Sequence, residues 1–371
     1  MTGPLILLSA GGTGGHLFPA EALANALKTA GARVALATDE RVGALSGSFP
    51  ADEVIEIPSA TPSGRSAPQI ARAALVLSAG VAKAFPALRR LRPAAVVGFG
   101  GYPTVPPVLA AAMLKVPTVV HEQNGVMGRA NRLLARWATL IATGFPVVSG
   151  VPRNARTLHT GNPVRPAVIA AAGMAYPPIP EGGRIRLLSF GGSQGARIMS
   201  DVVPAAIERL PEEYRSRLGL TQQARGEDLE RVRARYAILL PDADVQPFFK
   251  DLPQRIAEAH LVIARSGAST VAELAAIGRP SILVPLPGAL DQDQAANARS
   301  LAEIGAAVTI PQPEFTPERL AAEILSFFQK PERLTRAAAA AKSAGIADAA
   351  ERLAGAVLHI AKGRNPKERT S

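Results

Sequence analysis

The chain contains no cysteine, a single tryptophan and only 4% aromatic residues. Without thiols there is no disulfide, no thiolate nucleophile and no cysteine-ligated zinc or iron–sulfur centre, and such a chain is at home in the cytoplasm. The shortage of aromatics leaves few platforms for stacking bases, which argues against a nucleic-acid-binding module despite a net charge of +11. A secretory leader is not expected, because the apolar start Leu5–Leu8 has no basic segment before it and runs directly into glycines. Hydropathy flags the uncharged stretch Ala94–Leu114, but Gly98, Gly100, Gly101, Pro103, Pro106 and Pro107 break it into strand, loop and short helix. No segment is expected to cross a membrane.

Hydrophobic residues make up 47% of the 371 positions and charged residues 19%, enough apolar material for two cores at about 150 residues per domain. The positive charge is uneven: residues 1–160 hold 15 Lys and Arg against 7 Asp and Glu, and the remainder is close to balanced. This asymmetry suits a phosphate-bearing partner or an anionic membrane surface.

Short apolar runs alternate with Ala/Leu-rich stretches. Leu5–Ser9, Arg33–Ala37, Val54–Ile57, Ala95–Gly98, Thr118–His121 and Leu140–Ala142 read as strands with helices between them. A second series begins at Arg186–Phe190 and continues through Leu218–Gln222, Val245–Pro247, Leu261–Ala264, Ser281–Val284 and Ala307–Ile310. The pattern predicts an α/β protein of two Rossmann-like, doubly wound parallel-sheet domains facing across a cleft. The linker is placed at His159–Pro166, giving domains 1–160 and 161–345. A final segment, 346–371, holds a helix that crosses back to the first domain and a polar tail.

Ligands of parallel sheets gather beyond the C-terminal strand ends, so the loops there carry the chemistry. Gly11-Gly12-Thr13-Gly14-Gly15-His16 follows the first strand; its backbone N–H groups at a helix start suit an anion. The dinucleotide pattern GxGxxG fails at Leu17 in one register and at Thr13 and His16 in the other, so only Asp39 favours a nicotinamide enzyme. Two further glycine turns are Gly98–Pro103 and Phe190–Ala196. In Arg265-Ser266-Gly267-Ala268-Ser269-Thr270-Val271-Ala272-Glu273, Thr270 and Glu273 have capping-box spacing, while the same helix start suits a diphosphate and Glu273 a ribose diol. Asp291/Asp293 and Asp242/Asp244 match a metal-binding DxD pattern, one too short to be specific.

Together, and in order, Gly11–His16, His121-Glu122-Gln123-Asn124-Gly125, Gly161-Asn162-Pro163-Val164-Arg165, Gly191–Ala196 and Arg265–Ala268 resemble the MurG family, which moves N-acetylglucosamine from UDP-GlcNAc to lipid I to make lipid II. The resemblance implies a GT-B fold, no metal and no cofactor, the acceptor on the N-terminal domain and the donor mainly on the C-terminal one. It assigns Thr13, Gly14, Gly15, Asn124, Arg165, Ser193, Ala268, Ser269, Thr270, Val271, Ala272, Glu273 and Gln294 to the UDP-GlcNAc site. Phe249 joins them where the family places a smaller aliphatic residue whose backbone reads the uracil.

His16 and Glu273 are the expected catalytic residues, His16 as general base because its ordinary pKa lies near working pH, with His121 and Glu122 behind it. Arg165 or Arg265 is the cation expected to help neutralise the departing diphosphate. The lipid acceptor requires a peripheral enzyme on the cytoplasmic side of the inner membrane. Segment Pro68–Pro93 mixes Ile70, Leu75, Leu77, Val81, Phe85 and Leu88 with Arg72, Lys83, Arg89, Arg90 and Arg92, a composition suited to an anionic surface. Another UDP-sugar enzyme of the same fold, a glycolipid glycosyltransferase or a sugar-nucleotide epimerase, is the alternative.

Overall fold

Strands covered on both faces of a parallel sheet are unbroken apolar runs, because neither side meets water. β1 (Leu5–Ser9) is such a strand, and all five of its residues are buried. The computed structural model describes residues 3–11, 14–40, 49–60, 66–179, 182–192, 195–288 and 292–363. Backbone packing divides the chain into two units, one running to Arg165 and resuming at Asp348, the other spanning Pro166–Ala347.

The first unit continues with α1 (Gly14–Thr29), β2 (Arg33–Thr38), β3 (Glu53–Glu56), α2 (Ala67–Leu91), β4 (Ala95–Gly98), α3 (Val105–Met113), β5 (Thr118–Glu122), α4 (Arg129–Leu134), β6 (Leu140–Thr143) and β7 (Thr157–His159). Its strands are parallel and ordered β3-β2-β1-β4-β5-β6-β7, so strand order reverses between β1 and β4. Ala94–Leu114 is indeed strand, turn and short helix. β7 escapes the sequence reading because its Thr-Leu-His is a three-residue, fully exposed edge with no apolar run to announce it.

The second unit opens with α5 (Pro166–Ala172) and runs β8 (Ile185–Phe190), α6 (Arg197–Glu208), α7 (Glu212–Arg215), β9 (Leu218–Gln223), α8 (Gly226–Leu239), β10 (Asp244–Gln246), α9 (Leu252–Glu258), β11 (Leu261–Ala264), α10 (Ala268–Ile277), β12 (Ser281–Leu283), α11 (Asp293–Ala302), β13 (Ala307–Thr309), α12 (Pro317–Phe328) and α13 (Pro331–Ala344). Its parallel order is β10-β9-β8-β11-β12-β13, with the reversal between β8 and β11. Leu187, Leu220 and Ile263 on the sheet pack with Met199, Val203, Tyr236, Leu320, Ile324 and Phe327 from the covering helices.

α14 (Ala349–Lys362) then returns to the first unit, where Leu353, Val357 and Ile360 join Leu17, Leu23 and Leu27 of α1 in one core. The boundary falls five residues beyond the expected 160. Gly161 and Asn162 are bonded to the β5 end, through His121 Nε2 to Gly161 O at 3.1 Å and Asn162 Nδ2 to Gln123 O at 2.8 Å, and so fold with the first unit.

α2 is the one helix among the described residues long and apolar enough, over Pro68–Leu91, to cross a membrane by length and composition. Ala73, Gly80, Ala84 and Leu88 mark its buried stripe, and a Cβ on Gly80 would stand 2.9 Å from Pro106 of α3. Most of the remaining surface faces outward, with Leu75 72% and Ile70 52% exposed. Arg72, Lys83, Arg89 and Arg90 share that surface.

Candidate active site

In the first unit the reversal between β1 and β4 brings two glycine turns together. A Cβ on Gly11 would lie 3.0 Å from both Asp39 Oδ1 and Pro103 Cβ, so only glycine lets β1 end this close to the ends of β2 and β4. Gly100 and Gly101 take φ of 88° and 70°, and the His16 ring packs over them: ideal Cβ positions on the two glycines would each be 3.5 Å from that ring. Burial lowers the His16 imidazole below its ordinary pKa, opposed by a hydrogen bond with the Gly11 backbone. Gly14 and Gly15 begin α1, while Thr13 lies outside the described residues.

The end of β5 is a buried polar assembly. Both Glu122 oxygens are used: Oε1 accepts from Asn124 N (3.0 Å) and Asn124 Nδ2 (3.3 Å), and Oε2 from Gly128 N (2.9 Å) and Asn131 Nδ2 (2.8 Å). Burial raises its pKa against these donors. His121 has both ring nitrogens engaged, Nε2 with Gly161 O and Nδ1 with Gln123 Nε2 at 3.2 Å, and burial pushes it down to about 4. A fully enclosed imidazole and a carboxylate holding four N–H groups have no open position for an acceptor proton.

Gln123 also donates to Phe99 O at 2.9 Å, tying β5 to the β4 turn. Arg165 ends its motif with the guanidinium 5.0 Å from the Phe18 ring centroid, against the first turns of α1. Gly11, His16 and the motifs 98–103, 121–125 and 161–165 thus meet beyond the C-terminal strand ends of one sheet. Gln123 and Asn131 carry much of this convergence, and their buried side-chain roles have no sequence signature.

In the second unit, α10 begins at Ala268 with Gly267 in the cap position and no side-chain cap bond. Thr270 therefore lies inside the first turn, and the capping-box reading of Thr270 and Glu273 fails. Ala268, Ser269, Thr270 and Ala272 are partly open; Val271 and Glu273 are buried. Ser266 Oγ donates to Gln294 O at 2.8 Å and Asn297 Nδ2 to Ser266 O at 3.1 Å, while Gln294 Oε1 accepts Leu286 N at 3.1 Å. The turns after β11 and β12 and the start of α11 are thereby joined.

Gln223 joins two more turns, accepting Gly191 N at 2.9 Å and donating to Pro247 O at 3.2 Å. Phe249 is buried beneath the Arg255 guanidinium, 4.3 Å from the ring centroid. Arg265, expected to meet phosphate, is itself only 8% exposed and donates to Val284 O, Pro285 O and Gln312 Oε1. Its guanidinium braces the β12 turn. Asp244 is salt-bridged to Arg255 and Asp293 Oδ1 accepts Gln294 N, so each half-pattern of the DxD type has a structural employment. Ser193 and Asp291 lie outside the described residues.

Comparison with known proteins places this arrangement. Residues 6–143 match the glycosyltransferase family 28 N-terminal domain and residues 186–353 its C-terminal domain. A protein of Methylorubrum populi named UDP-N-acetylglucosamine–N-acetylmuramyl-(pentapeptide) pyrophosphoryl-undecaprenol N-acetylglucosamine transferase is 64% identical, covering 96% of this chain and 98% of its own length. The crystal structure of Acinetobacter baumannii MurG aligns with a TM-score of 0.78 and 29% identity, over 96% of this chain and 99% of that one. A putative UDP-N-acetylglucosamine 2-epimerase from Listeria monocytogenes aligns at TM-score 0.70 with 16% identity over 98% of each chain, a likeness of fold alone. With a GT-B fold, both family 28 domains in sequence and relatives this similar along nearly the whole length, the chain belongs to the MurG family of glycosyltransferases.

Proposed function

We propose that this enzyme moves N-acetylglucosamine from UDP-GlcNAc to undecaprenyl-pyrophosphoryl-MurNAc-pentapeptide, forming lipid II for peptidoglycan and so serving cell-wall growth, cell shape and division. The observation that carries the reading is the 64% identity over 96% of the chain to a relative named for that transfer. At under 25% identity the epimerase likeness supports no competing chemistry.

In this reading an acceptor hydroxyl attacks the anomeric carbon, its proton passes to His16, and the bond to the β-phosphate oxygen breaks with inversion as UDP leaves. An imidazole held neutral by burial suits the base. The α10 N-terminus, with Ala268, Ser269 and Thr270, receives the diphosphate through backbone N–H groups and the helix dipole. Glu273 holds the ribose, the Phe249 backbone the uracil and Gln294 the sugar. Val271 and Ala272 form the wall of that turn, and Thr13, Gly14, Gly15, Asn124, Arg165 and Ser193 complete the donor contacts. For Gln294 to reach the sugar, its side chain must release Leu286 N.

The exposed Ile70 and Leu75 with Arg72 and Lys83 support α2 as the element resting on the cytoplasmic face of the inner membrane, its buried stripe keeping it docked on the first unit. Transfer of labelled N-acetylglucosamine to a lipid I analogue in EDTA tests the reaction. Wild type should transfer, and His16→Ala and Glu273→Ala should be impaired. Hydrolysis or epimerisation of the donor without acceptor glycosylation would overturn the assignment.

A further inference from the structure

Arg265 is committed to the turn it braces, so the second unit needs another positive group if a side chain there is to meet the leaving diphosphate. The end of β9 supplies one. Gln223 is buried and pinned between Gly191 N and Pro247 O, which fixes the strand end beside the glycine turn following β8. Two residues on, Arg225 packs against the end of that turn: a Cβ on Gly195, where φ is +69°, would stand 3.0 Å from Arg225 Cγ.

The Arg225 side chain is 38% exposed. Nη1 faces the exposed Glu227 carboxylate at 3.4 Å, and Nε has no hydrogen-bond acceptor among the described residues. A pair this long and this open to water holds the guanidinium weakly. Its charge is also felt by Arg265, whose pKa burial lowers first and Arg225 lowers further. Two cations at the ends of β9 and β11, flanking the turn after β8, repel one another until an anion lies between them.

We propose that Arg225 is a ligand of the donor diphosphate, reaching it beside Gly195 while Arg265 shapes the opposite side. The inference rests on the reading of the second unit as the donor site. As the bond between the anomeric carbon and the β-phosphate oxygen breaks, its electron pair goes to UDP, and a guanidinium there neutralises charge that grows in the transition state.

Calorimetric titration of the full chain with UDP and with uridine separates the possibilities. Arg225→Ala should weaken UDP at least about tenfold, leave uridine within about twofold, and regain part of the loss in Arg225→Lys. Equal losses for UDP and uridine would mark a packing role, and unchanged UDP affinity would exclude contact; either overturns the proposal. A wild type that binds uridine but gains nothing from the diphosphate also overturns it. If wild type binds neither, the donor reading itself falls and takes this inference with it.

Discussion

Burial lowers the His16 imidazole from its ordinary value of 6.5, which favours the neutral form at pH 7. The acid limb of kcat/KM should therefore have its midpoint below 6.5. His16→Ala should cut kcat at least about 100-fold with UDP affinity little changed. A limb at or above 6.5 that survives in the variant would remove His16 from the role. His121 and His260 make a different kind of prediction. Each is pushed down to about 4 in the folded chain, whereas an unfolded histidine titrates near 6.5. Between those values the unfolded state binds more protons, so stability falls as pH falls. Each should cost about 2 kcal/mol from pH 7 to 5. Since one lies in each unit, His121→Gln should flatten the acid dependence of urea unfolding in the first unit only.

At the end of β5, the important property is that, among the described residues, both Glu122 oxygens meet donors. Glu122→Gln puts an amide NH2 where an oxygen receives two N–H groups, at a cost of about 1–3 kcal/mol. The variant should lose thermal stability and raise the KM for UDP-GlcNAc through a displaced Asn124, with kcat less affected. Unchanged KM at lowered stability would show that the loop does not position the donor. The turns before α1 and α10 were legible as strand-to-helix turns because glycine and helix starts are local features. The failed capping box was legible only as spacing: it depends on the residue at which the helix begins, and Gly267 takes that place.

At the scale of the molecule, α2 presents apolar and basic groups outward while its small residues face the core. Were α2 to rest on a membrane, burying Ile70 and Leu75 there would contribute about 1.5–3 kcal/mol each at most. Ile70→Glu with Leu75→Glu should lower sedimentation with anionic vesicles by more than tenfold, and leave transfer to a water-soluble acceptor analogue intact. Equal vesicle binding by both proteins would remove α2 from the membrane face.

The alternation of apolar runs with helical stretches determined both parallel sheets from sequence alone, since burial on two faces leaves an unbroken hydrophobic signature at β1, β4 and β11. The glycine and Ser-Gly-Ala motifs likewise marked strand-to-helix turns that the structure places after β1, β4, β8 and β11. Only the tertiary structure gave Arg265 to carbonyl oxygens, enclosed His121, and let Gln223 and Arg225 reach the turn after β8. The physical reason is that apolar periodicity is written along neighbouring residues, whereas the partner of a buried polar or charged group is chosen by strand order, which joins positions distant in sequence.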